Sequence, residues 1–193
     1  DDCIHVMNNM APQSVDTIIC DPPYGTTACS WDAVIPFEEM WDAIHRVIKP
    51  GGAILLFGQE PYSSLLRVSN IKEYRYDVYW CKEKLTNIFQ VKRRPGKVIE
   101  TVSVFYDKQC TYNPIKTKHQ GGLVKSRAKG SIGKLIAGDR AIIPVPYDDD
   151  GYRYPTQLVK FRRENNNKLV HPTQKPVELL EYLVKTYTNQ DDV

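Results

Sequence analysis

The stretch Val15-Asp16-Thr17-Ile18-Ile19-Cys20-Asp21-Pro22-Pro23-Tyr24 decides how the chain folds. Four of its first six residues are β-branched, and the run stops abruptly at Asp21-Pro22-Pro23. A short apolar run of this kind reads as a buried strand of a parallel sheet, and proline ends it because it cannot donate to a ladder. Outward from it, Phe37, Met40, Trp41, Ile44, Val47 and Ile48 recur at helical spacing. Pro36, Glu38 and Glu39 open that helix, and Lys49-Pro50-Gly51-Gly52 stops it. Ala53-Ile54-Leu55-Leu56-Phe57 reads as a second buried strand, and Pro61 opens a short helix through Leu65 and Leu66. The order strand, helix, strand, helix predicts an α/β protein built on a parallel sheet.

Farther along, Tyr76-Asp77-Val78-Tyr79-Trp80 and the run from Val98 to Tyr106 are rich in aromatic and β-branched residues, which predicts two more strands. Pro176 to Tyr187 carries an amphipathic helical pattern, and Asp191-Asp192-Val193 reads as the approach to another strand. The start, Asp1-Asp2-Cys3, is neither a signal peptide nor an initiator methionine, which suggests a chain that begins inside a longer one. Five cysteines without a CxxC pair fit reduced thiols in a cytoplasmic protein, and no metal site is expected. No run approaches the ~18 apolar residues of a membrane span.

The 26 basic and 23 acidic residues sum to +3, but they are unevenly spread. Residues 1–81 hold 5 basic against 11 acidic side chains, residues 82–168 hold 19 against 8, and residues 169–193 hold 2 against 4. A basic middle between acidic ends points to a polyanion-facing segment on a separate scaffold.

The chemistry is concentrated at Asp21-Pro22-Pro23-Tyr24. From the residues alone, a strand-ending turn with a surface tyrosine is one reading. The other begins from position, because the carboxyl end of a parallel strand is where α/β sheets bind ligands. Two prolines stiffen the backbone there and leave carbonyls without neighbouring N–H groups. A carboxylate and a fixed carbonyl together accept two hydrogen bonds from an exocyclic amino group, and an aromatic ring beside them stacks on a flat heterocycle.

This tetrapeptide resembles the catalytic motif of the DNA amino-methyltransferases, which methylate adenine or cytosine amino groups with S-adenosylmethionine. The resemblance extends through Asp2 to Met7, Ser14 to Ile19, Ile54 to Gly58, Lys82, Lys97, Glu100 to Tyr106 and His171-Pro172-Thr173-Gln174-Lys175-Pro176. The order, catalytic motif first and cofactor segment last, is similar to the β group, which includes many phage and prophage adenine enzymes. It implies a partial Rossmann-like methyltransferase sheet, mostly parallel with one antiparallel strand, in a bacterial or phage-encoded protein. Residues 1–106 would form the catalytic part, 107–168 a target-recognition insert, and 169–193 the returning helix.

Asp21, Pro22, Pro23 and Tyr24 are then the catalytic residues, with Tyr24 stacked on a flipped base. Aspartate in the first position looks like the adenine-type motif, since β-group cytosine enzymes more often carry serine. Asp2, Cys3, Asp21, His171, Thr173 and Lys175 fall where the family approaches its cofactor. His171-Pro172 as a helix-leading turn and Lys175 as a solvated charge remain equally compatible with the residues. The Phe-x-Gly-x-Gly-like loop of the family does not occur in the sequence, so a truncated or incomplete enzyme is expected.

Lys92, Arg93, Arg94, Arg127, Lys129, Arg162 and Arg163 are the candidate contacts to double-stranded DNA. Cytosine or structured-RNA methylation, and a non-catalytic nucleic-acid-binding remnant, are the alternatives carried forward. Affinity for duplex DNA is expected to fall steeply with salt in a filter-binding titration, and a flat dependence would count against the role given to the basic middle.

Overall fold

A computed structural model describes residues 2–27, 29, 32–85, 88–118, 150–163 and 174–193. The chain divides into two compact units, one of residues 1–113 and 156–193 and the other of Pro114–Pro155. The larger unit opens with helix α1 (Cys3–Asn9), followed by β1 (Val15–Cys20), α2 (Phe37–Val47), β2 (Ile48–Gly58), α3 (Tyr62–Ser69), β3 (Tyr74–Cys81) and β4 (Ile99–Phe105). In the smaller unit β5 (Thr117–Lys118) and β6 (Tyr152–Arg153) form an antiparallel pair. The larger unit resumes with β7 (Leu158–Lys160) and α4 (Val177–Tyr187).

Its five-stranded sheet has the order β1-β2-β4-β3-β7. β1 runs parallel to β2 and β7 parallel to β3, while β4 is antiparallel to both of its neighbours. Four strands therefore point one way and β4 alone runs against them, the mixed α/β sheet expected. This topology brings the carboxyl ends of β1 and β3 to one edge of the sheet.

Successive side chains of a strand face opposite sides. Along β2, Ile54 and Leu56 pack with Met40, Trp41, Ile44 and Leu66 of α2 and α3. Leu55 and Phe57 pack with Leu179, Leu183 and Tyr187 of α4 on the other face. Helices cover both faces, which is why β2 reads as an unbroken apolar run.

The stop signal at Lys49-Pro50-Gly51-Gly52 ends α2 as expected, but these residues open β2 rather than a loop. The register slips there, Val15 facing Ile48 and Thr17 already facing Ala53, so the extra residues form a bulge. Gly51 takes a positive φ of 81°. A Cβ on Gly52 would lie 2.6 Å from the Asp16 carbonyl oxygen. Lys49 then pairs with Asp16 at 2.8 Å. At the outer edge of β1, the Val193 carbonyl accepts from the Asp16 and Thr17 amides at 2.6 and 3.2 Å.

The boundaries 107–168 expected for the insert differ from the compact unit of Pro114–Pro155. Cys110 is buried in the core and the Asn113 amide donates to the Thr186 carbonyl at 2.7 Å. Val159, likewise buried, sits in β7. A single buried residue on each flank fixes these segments to the sheet, too weak a periodic signal to stand out in sequence. Within the smaller unit Lys116 pairs with Asp150 at 2.9 Å and lies 4.7 Å from the centre of the Tyr154 ring. Among the described residues no helix is long and apolar enough to cross a membrane.

Leu183 is wholly buried between α4 and the sheet. Leu183→Ala is expected to cost about 2–5 kcal/mol in urea unfolding, because the packed layer cannot close over the missing atoms.

Candidate active site

Asp21 follows the last residue of β1, and β3 delivers Lys82 to the same sheet edge. Glu100, on β4 and opposite Trp80 of β3, completes the base of the site. With Tyr24 and Lys175 these residues line a cavity of about 430 Å³, a volume suited to a small organic ligand.

A network of charge holds the cavity wall. Glu100 is 3% exposed and accepts from Lys82 through Oε2 at 2.5 Å and from Lys175 through Oε1 at 2.6 Å. Lys175 also reaches Asp21 Oδ1 at 2.9 Å and the Tyr24 hydroxyl at 3.4 Å, so its three protons have three acceptors. The Tyr24 hydroxyl lies 2.5 Å from Asp21 Oδ1 and 3.0 Å from Glu100 Oε1, and its one proton serves either. Burial pushes the Glu100 carboxyl up, but the two ammonium groups outweigh it and hold the group below its ordinary value. Burial and the two carboxylates push the Tyr24 phenol far up, so it stays protonated and donates.

The consequence falls on Asp21. Its Oδ1 is held twice, whereas its Oδ2 has no hydrogen-bond partner among the described residues, and the side chain is 33% exposed. The Pro22 carbonyl is not reached by any backbone N–H among them. One fixed carboxylate oxygen and one open one, next to an open carbonyl, form an acceptor pair.

The backbone of this turn is clamped from Asp32. Its Oδ1 accepts from the Tyr24 and Gly25 amides at 2.8 and 2.9 Å, and its Oδ2 from Thr26 and Thr27 at 2.9 and 2.7 Å. Gly25 has a φ of 66°, and a Cβ there would meet Val34. Burial raises the Asp32 carboxyl, but the Thr27 hydroxyl and the turn's amides overcome this and bring it down to about 2. The Tyr24 ring packs on Tyr62 with centroids 5.3 Å apart.

The structure thus brings together Asp21, Pro22, Pro23, Tyr24 and Lys175, and adds Arg163 to the same cavity. Lys175, its side chain 12% exposed, is a largely covered cation paired with two carboxylates rather than a solvated charge. Asp2 caps α1, its Oδ1 accepting from Ile4 and His5 amides, and with Cys3 it lines a separate hollow beside Ile35, Pro36 and Glu39. Lys92, Arg93 and Arg94 lie in the β3–β4 connection, and Arg162 pairs with Glu83 at 2.9 Å. His171, Thr173, Arg127 and Lys129 lie outside the described residues.

Sequence reasoning gave no role to Glu100, Lys82 or Asp32. The available signal for Glu100 was a carboxylate inside an otherwise apolar strand, a costly placement unless paired. Asp32 carried none, because an aspartate in a Thr-rich turn is ordinary.

A site at the carboxyl edge of an α/β sheet, with an acceptor pair facing a cavity, marks a ligand-binding enzyme domain. The family model described as DNA methylase matches residues 15–193, and the chain belongs to that family. Type II methyltransferase M.HpaI of Haemophilus parainfluenzae is 23% identical over 205 residues, covering 98% of this chain. The chain spans 59% of that relative's length. Among solved structures, PvuII DNA methyltransferase, cytosine-N4-specific, aligns with a TM-score of 0.60 at 16% identity over 100% of this chain and 70% of its own. The M1.HpyAVI–SAM complex aligns with a TM-score of 0.56 at 19% identity over 100% and 77%.

Asp32→Asn is expected to destabilise the protein by roughly 1–3 kcal/mol at pH 7, read in urea melts. Because the folded carboxyl titrates near 2 and the ordinary value is 3.8, wild type keeps this advantage above about pH 3.8 and loses it as pH falls towards 2.

Proposed function

We propose that this chain forms the base-binding and catalytic part of an S-adenosylmethionine-dependent DNA methyltransferase that acts on the amino group of adenine. The observation that carries the reading is Asp21, with Oδ1 locked by Tyr24 and Lys175 and Oδ2 open beside the Pro22 carbonyl. Family membership and the solved relatives support the reaction class, and the aspartate in the first motif position favours adenine.

The target amine is a poor nucleophile, since its lone pair is delocalised into the ring. Once the base is extruded from the duplex, at a cost of a few kcal/mol, its two N–H groups donate to Asp21 Oδ2 and the Pro22 carbonyl. That geometry draws the nitrogen towards tetrahedral and localises its lone pair. When bound, S-adenosylmethionine would supply a methyl group whose bond to the sulfonium sulfur breaks as that nitrogen attacks, leaving a neutral thioether, and the proton given up by the nitrogen would pass to Asp21 Oδ2. The residues present fit such a cation on charge: Glu100 and Asp21 together balance Lys82 and Lys175, so no surplus positive charge opposes a sulfonium, and Asp21 Oδ2 stays unpaired among the described residues. Asp2 and Cys3, with His171 and Thr173, are the residues we assign to holding it. Lys175 instead holds Asp21, and Tyr24 supplies the ring of the cavity wall. Catalysis here is positioning and fixed electrostatics.

A second reading, N4-methylation of cytosine, is favoured by the PvuII enzyme's specificity and uses the same acceptor pair. Asp21→Ala is expected to lower methyl transfer at least about a hundredfold, while duplex affinity changes less than twofold. Mass spectrometry of nucleosides from treated duplex should show N6-methyladenine. N4-methylcytosine would overturn the base assignment, and an active Asp21→Ala variant would overturn the mechanism.

A further inference from the structure

β3 and β4 are joined at the same sheet edge that carries Asp21, and both stems of the connection belong to the cavity. The Lys82 amide donates to the Val98 carbonyl at 2.8 Å, and the side chains of Lys82 and Glu100 line the cavity wall. The absence of a side chain at Gly96 lets Leu85 close against the returning limb. Beyond these stems the connection carries a short 3₁₀ turn, Ile88–Gln90, in which the Phe89 ring is fully exposed.

Three cations follow within five residues of that ring. Lys92, Arg93 and Arg94 have no carboxylate partner among the described residues, and Arg94 only touches the Gln90 side chain. The turn itself is ordered by the Arg93 and Arg94 amides, which donate to the Gln90 carbonyl at 2.9 and 3.0 Å. A bare aromatic ring held on a turn, next to unneutralised cations and rooted in a cavity wall, has the chemistry of a base-stacking element flanked by phosphate contacts. A protein surface would have to bring its own acids to face three adjacent cations, whereas a duplex presents stacked rings and a phosphate row together.

We propose that Phe89 inserts into the base stack of double-stranded DNA, with Lys92 and Arg93 on the flanking phosphates. This rests on the methyltransferase reading above and adds to it the element that opens the stack beside the cavity. The wall residues Asp21 and Glu100 are not needed for the insertion itself, so the two ideas separate experimentally.

The test uses duplex binding in the absence of any cofactor, on random-sequence duplex, followed by fluorescence across a salt series. Phe89→Ala should weaken binding about tenfold or more with the slope of log affinity against log salt unchanged, because a stacking contact releases no counterions. Lys92→Ala and Arg93→Ala should each lower that slope by about one. A Phe89→Trp protein should show emission, relative to wild type, that is quenched on adding duplex. Wild type should favour a mismatched duplex, where unstacking is cheaper, and Phe89→Ala should lose that preference. Because the ring is fully exposed, these substitutions do not threaten the fold. Unchanged affinity for Phe89→Ala with an unquenched Phe89→Trp overturns the insertion while leaving the methyltransferase reading intact. A change in the sedimentation of free Phe89→Ala, with DNA affinity unmoved, assigns the ring to a protein interface and overturns it too. A wild-type protein that binds no duplex overturns both.

Discussion

Glu100 is the charge on which the rest of the site depends. A carboxylate buried to this extent is untenable alone, and removing one partner of a buried ion pair typically costs about 3–5 kcal/mol. Here two ammonium groups meet it from different parts of the chain, Lys82 at the end of β3 and Lys175 just before α4. Lys175 then has protons left for Asp21 and Tyr24. The Asp21 carboxylate is oriented because a neighbouring carboxylate in the sheet has fixed the ammonium that orients it. The four charges sum to zero, so this part of the cavity wall is polar without a net charge, and Asp21 Oδ2 is the acceptor left over.

The fold supplies this meeting by running one strand backwards. With β4 antiparallel, its first residues lie at the edge where β1 and β3 end, so Glu100 sits beside the carboxyl ends of both. A wholly parallel sheet would place the start of that strand at the far edge. The antiparallel strand is therefore functional topology: it puts an acid where the parallel strands put their ligand-binding turns.

Much of this was legible in sequence, and the rest was hidden for definable reasons. β1 and β2 are apolar runs and α2 and α4 are strongly periodic, and each lay where its pattern indicated, although β2 begins earlier, at Ile48. The turn at Asp21-Pro22-Pro23 is local covalent chemistry, visible to any reader of the residues. What could not be read was pairing at a distance. Lys175 was equally readable as a cofactor contact or a solvated charge, and its pairing is with Glu100, 75 positions away. Asp32 binds a turn through backbone amides, which carry no side-chain signature. Asp2, read as near a cofactor, caps its own helix by accepting from the Ile4 and His5 amides.

The charge excess of the middle segment gains a different meaning from these pairings. Counted along the chain, residues 82–168 are strongly basic, and the simplest inference gives all that charge to a polyanion. Several of these cations are occupied inside the protein. Lys82 neutralises Glu100, Arg162 meets Glu83, and Lys116 meets Asp150 and the Tyr154 ring. A cation spent on an internal partner offers less to a phosphate, because it must first give up that partner. The connection between β3 and β4 is where adjacent described cations stay unneutralised, and it is the same connection that roots in the cavity. On the DNA-binding role proposed above, electrostatic attraction to a duplex would be delivered at the rim of the site rather than spread evenly over the segment, which would bring the phosphate row and the acceptor pair of Asp21 and Pro22 to the same edge of the sheet.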